Sequence, residues 1–249
     1  MEKSQVNQKK MYISKPPEYK EFEDDRYVFT DETIRRAFVR KVYSILMVQM
    51  LVSLGVIVWF LYDVRVRFYV ETNMWPFLVA FGVTFVVLIA LMCCGDVRKK
   101  APMNFILLGI FTVAESFILA TISAMFNSKT VMLAVGITAI VFLGLTIFSF
   151  QTKWDFTMSG GFLCVALVVL LVFGLIVMFF PGRTMILIYS SLGALIFGFY
   201  IVYDTQLLMG GEHQLSISPE EYIFAVLALY LDIVNFFLYI LTILGIARR

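Results

Sequence analysis

Basic residues are missing from every long apolar stretch of this 249-residue chain, histidine occurs once, and charged residues make up only 15% of it. Soluble domains run at about 25% charged and 45–50% apolar, so a chain that is 61% hydrophobic is not one of them. A formal charge of +2 is too balanced to argue for nucleic acid. The three cysteines, Cys93, Cys94 and Cys164, are odd in number and lack C-x-x-C spacing, so they read as small packing residues rather than disulfides or zinc ligands. Adjacent Cys93 and Cys94 are also candidates for palmitoylation. A lone His213 builds no histidine metal site. No N-x-S/T sequon marks a glycosylated face. The opening residues have no apolar h-region or small-residue cleavage site, which excludes a secretory signal peptide. No nucleophile, nucleotide loop or metalloprotease motif occurs, so a non-enzyme is expected. No spanning Lys is available for a retinal Schiff base.

What the chain does have is unevenly placed. The first 41 residues hold 18 of the 38 charged residues. Beyond them come seven apolar runs: Val42–Tyr62, Pro76–Cys94, Ala101–Met125, Thr130–Phe150, Thr157–Phe180, Met185–Leu208 and Tyr222–Ala247. Each is long enough to cross a hydrocarbon core of about 30 Å, and none shows the alternation of barrel strands. Unpaired backbone groups are not tolerated in lipid, so each run is expected to be a helix. The expected fold is all-α, a polytopic membrane protein forming a compact seven-transmembrane-helix bundle. Residues 1–34 are expected to be a disordered polar cytosolic tail, and residues 35–249 the membrane domain. Arg35, Arg36, Arg40 and Lys41 precede the first span, against Arg65 and Arg67 after it, which favours a cytosolic amino terminus. The Arg98, Lys99, Lys100 cluster agrees. Seven crossings put Arg248 and Arg249 on the opposite side, against that rule, so a re-entrant last segment is the competing topology.

Only three ionisable residues lie within the spans, and all are acidic: Glu115, Asp204 and Asp232. Burying a lone carboxylate costs a few kcal/mol. Each must therefore face the bundle interior and bind a proton, bind a cation, or share a proton with another acid. Spans six and seven are joined by a polar hairpin, so Asp204 and Asp232 can meet and titrate as one unit. Ser218, Pro219 and Glu221 predict a capping box at the start of span seven, with Asn235 on the same face as Asp232. Ser190, Ala194 and Gly198 recur every four positions in span six and read as close helix packing.

The strings Tyr203-Asp204-Thr205, Ser218-Pro219-Glu220-Glu221-Tyr222 and Leu229-Tyr230-Leu231-Asp232-Ile233-Val234-Asn235, with Arg40-Lys41-Val42-Tyr43 entering span one, closely resemble the transmembrane Bax inhibitor motif family, and its Lifeguard branch in particular. The resemblance runs from about Arg35 to the carboxyl terminus. It implies a seven-helix calcium-leak fold in which Asp204 and Asp232 form a pH sensor and plug the pore at its cytosolic end. Arg98 matches a basic latch to that pair, with Lys99 and Lys100 as alternatives. Calcium is then a permeant ion rather than a tightly bound cofactor. Lifeguard-type members act against apoptosis in endomembranes such as endoplasmic reticulum, Golgi or endolysosomes.

The competing function is a regulator of cell death that binds partners, such as the inositol trisphosphate receptor, Bcl-family or death-receptor proteins, with the acids merely structural. A G-protein-coupled receptor fits poorly, because the loops are short and span seven has no N-P-x-x-Y. In the tail, Pro16, Pro17 and Tyr19 form a P-P-x-Y string of the kind a WW-domain ubiquitin ligase docks. The lipid bilayer is the remaining partner, with Arg35, Arg36, Arg40 and Lys41 attracting anionic lipids.

Overall fold

The computed structural model describes residues 22–210 and 215–248, with side chains described from Thr33 onward except those of Asp96 and Val97. Among these residues seven helices are long and apolar enough to cross a membrane, and the protein is an integral membrane protein. In chain order the helices are α1 (Phe22–Tyr62), α2 (Val64–Thr72), α3 (Trp75–Cys93), α4 (Gly95–Lys99), α5 (Met103–Ala124), α6 (Ser128–Gln151), α7 (Gly160–Phe179), α8 (Arg183–Met209) and α9 (Tyr222–Ala247). Six of the spanning helices follow the apolar runs to within a few residues, and α1 ends with its run but starts well before it. The two short helices α2 and α4 were not expected. Asp63 starts α2 by accepting from the backbone N–H groups of Arg65 and Val66 at 2.9 and 3.2 Å, which satisfies two of the donors a helix start leaves orphaned.

α1 begins at Phe22, ahead of the first apolar run, since a helix anchored in the membrane extends outward without a new nucleation cost. One expectation needs correction. At the start of α9 there is no capping box. Pro219–Glu221 form a 3₁₀ turn, and Ser218 makes no side-chain cap. The Glu221 carboxylate instead pairs with Arg98 at 2.6 Å and Lys99 at 3.1 Å, charge-assisted contacts that outcompete a neutral backbone donor.

The core sits around α9, which packs on α8, α6, α1 and α5. Its apolar stretch is 61% buried inside the protein, against 17% for that of α7. α3 flanks the bundle against α5, and α7 flanks it against α8. Polar side chains within the spans are mostly satisfied locally, as when Thr112, Ser116, Ser149 and Thr242 donate to the carbonyl one turn back. Across helices, Gln49 donates to Thr112 at 2.7 Å, and Ser53 bonds both Ser116 and Tyr230.

The last segment is long and apolar enough to cross completely. α9 runs unbroken, and at its far end Arg248 reaches Thr130 at the start of α6 while Arg183 at the start of α8 reaches the Ile246 carbonyl. This is the shape of a full span rather than of a re-entrant hairpin.

Candidate functional site

α8 and α9 pack against each other more extensively than any other pair. Gly193 is where this packing leaves no room for a side chain, one position away from the expected Ser190, Ala194, Gly198 repeat. A Cβ there would collide with the Tyr239 ring, whereas one at Gly198 would meet Leu145 and Phe236 at ordinary contact distances. This tight seam brings the acids together. Asp204 and Asp232 lie side by side, close enough to act on each other electrostatically, and are only 8% and 5% exposed. A hydrogen bond between the two carboxyls needs a proton on one of them, since two carboxylates have no donor. The second oxygen of Asp232, Oδ2, is buried with no partner among the described residues. No basic side chain among those residues pairs with either acid.

Around the pair, Tyr200 lies near both acids and Cys164 of α7. The hydroxyls of Tyr43, Thr146 and Thr205 converge from α1, α6 and α8 without a well-directed hydrogen bond among them. Gln206, wholly buried, accepts from the Phe156 N–H at 2.7 Å and donates to the Trp154 carbonyl at 2.9 Å, which stitches the α6–α7 connection to α8 beside Asp204. At the end of α8, Gly210 has φ +54°, a backbone state that costs glycine nothing. The Arg35 guanidinium fills the space a Cβ would need there, and donates to the Ile217 carbonyl at 2.7 Å.

Residues 35–249 match the family model described as Inhibitor of apoptosis-promoting Bax1. The chain belongs to the Bax inhibitor family. It is 41% identical over 219 residues to Protein lifeguard 3 of Homo sapiens, a match covering 86% of this chain and 70% of that protein. It is 40% identical over 216 residues to Protein lifeguard 4 of Mus musculus, covering 87% of each. The Bax inhibitor family is one of membrane regulators rather than a known enzyme family.

The remaining expected residues of this Bax inhibitor family member fall elsewhere. Arg98 does not reach the acids; it pairs with Glu221 and lies over the Phe224 ring. With Lys41 stacked on Tyr222 at 3.3 Å and Asn104 donating to Tyr222 at 2.8 Å, it pins the first turn of α9. Asn235 turns back to the Leu231 carbonyl at 2.7 Å and not to Asp232. Glu115 is half-buried in α5, close enough to Tyr230 to act on it electrostatically, but not bonded to the pair. Pro16, Pro17, Tyr19 and His213 lie outside the described residues. Sequence reasoning missed Gln206 and Tyr43. The run Asp204-Thr205-Gln206, three polar residues together inside an apolar span, was the available signal for Gln206; Tyr43 stood only in the string Arg40-Lys41-Val42-Tyr43 entering span one, with nothing to tie it to the acids.

Proposed function

We propose that this protein is a pH-responsive calcium leak of endomembranes, gated by the Asp204–Asp232 pair, and that lowering stored calcium is how it restrains apoptosis. The observation that carries this reading is the burial of the two carboxyls side by side on adjacent, tightly packed helices. Loss of the shared proton puts two negative charges side by side in a low dielectric, a strong force on the α8–α9 seam. Calcium is the cation best matched to carboxylate oxygens. The family description and the names of the relatives support the role in apoptosis. Arg35, Arg36, Arg40, Lys41 and the Arg98–Lys100 cluster all stand at the amino-terminal end of the bundle, which supports a cytosolic placement of that end and of the acids near it. In this reading the P-P-x-Y string of the tail recruits a WW-domain ubiquitin ligase.

The test is calcium flux into dye-loaded liposomes containing the purified protein, measured across pH. Asp204→Asn and Asp232→Asn keep size and hydrogen bonding while removing the mutual repulsion, so each is expected to flatten the pH dependence of the leak. The double variant adds little, because a pair acting as one unit is non-additive. Full pH dependence in both folded single variants would overturn the reading. Protection from cell death that survives loss of leak would instead assign that role to partner binding.

A further inference from the structure

Apart from the acids, the described residues leave a cleft of about 540 Å³ between α1 and α6. α1 packs chiefly on α5 and α9, and α6 chiefly on α8 and α9, so the two helices stand apart with α9 behind them. Met47, Leu51, Leu143 and Phe150 line the cleft and are strongly exposed, which makes it open sideways, into the hydrocarbon, along the spanning segments. Its floor includes Ile233 and Val234, the two residues that follow Asp232.

Shape limits the occupant. The α1 wall runs from Tyr43 to Ile57, ~21 Å at 1.5 Å per residue. An apolar slot of that length, open along its side, accepts an extended hydrocarbon chain laid parallel to the helices. Charge limits it further. The face of α1 that lines the cleft, Tyr43, Met47, Met50 and Leu54, continues one turn outward to the exposed Arg40, and the exposed Lys153 lies just beyond the end of α6. Two exposed cations thus stand just beyond the lining residues at one end of the cleft, and a lipid phosphate is the group that pairs with cations at a bilayer surface.

We propose that this cleft is a phospholipid site, in which one acyl chain lies between α1 and α6 and the phosphate is held by Arg40 and Lys153. The bound chain is then a wall of the compartment behind α9, and this holds whether or not the protein leaks calcium.

The test is photo-crosslinking of the full-length protein in liposomes with a phospholipid carrying a diazirine on one acyl chain, the adducts being mapped by mass spectrometry. Adducts on the facing sides of α1 and α6 are expected to exceed those on the exposed apolar face of α7 several-fold. Ala139→Trp fills the cleft from its open side and is expected to reduce the α1 and α6 adducts to the α7 level, with a size-exclusion profile unchanged. Arg40→Gln with Lys153→Gln is expected to lower them several-fold and to abolish the advantage of unlabelled phospholipid over diacylglycerol as competitor. Equal labelling of all three helices, or labelling indifferent to a well-folded Ala139→Trp variant, would mean ordinary surrounding lipid and overturn the proposal. Diacylglycerol competing with the wild-type protein as well as phospholipid would overturn the phosphate contact, and a sterol competing better than either would overturn the choice of occupant.

Discussion

Gly193 and Tyr239 show how one missing side chain lets α8 and α9 pack closely. In lipid there is no hydrophobic drive between helices, so van der Waals contact at small residues carries much of the association. Gly193→Ala would push the Tyr239 ring outward and open the α8–α9 seam. The expected cost is about 1–3 kcal/mol, typical of overpacking, and it is measured as a lower melting temperature in detergent. Asp63 makes a second prediction at this scale. The Val66 backbone N–H, with that of Arg65, holds its carboxyl below the usual range. A carboxylate with a depressed folded-state pKa stabilises above its ordinary value of ~3.9, and that contribution disappears as pH falls through the lowered value. Hydrogen exchange across α2 should therefore accelerate in acid below that range. An Asp63→Ala variant should exchange quickly at neutral pH already and show little further change.

Among the elements, α9 is the one whose position matters most, and its first turn is held by charge. Arg98, Lys99 and Glu221 are joined across α4 and the turn before α9, with Arg98 and Glu221 both largely shielded. Arg98→Glu is expected to loosen the segment and speed hydrogen exchange over residues 217–226, and Arg98→Glu combined with Glu221→Arg is expected to recover much of the protection. A merely crowded contact would not be rescued by reversing both charges. This clasp was not legible in the sequence, because S-x-x-E before an apolar run is also a capping signal, and only the fold brings α4 within reach. The spans themselves were legible, since lipid permits few alternatives to a helix for twenty apolar residues. The same logic singled out Asp204 and Asp232, the acids of consecutive helices. α2 was hidden because Val64-Arg65-Val66-Arg67 alternates like a strand. The turn of Asn235 back to the Leu231 carbonyl was not legible either, because sharing a helix face says nothing about competition from the carbonyl one turn back.

For the whole molecule, the odd number of crossings places the two ends of the described chain on opposite sides of the bundle. An epitope after Arg249 is expected to resist protease added from the cytosolic side, while one before Met1 is cleaved; cleavage of both would overturn the assigned topology. The centrality of α9 has a further consequence, for biogenesis. Helices enter the membrane in the order they leave the ribosome, so the helix that every neighbour is built around is the last of the seven to arrive. Until then α1, α5, α6 and α8 wait with their α9-facing surfaces turned to lipid and Asp204 without its partner acid. Assembly intermediates of this protein therefore carry an unshared carboxyl in the bilayer, the kind of feature by which membrane quality control recognises an unfinished chain.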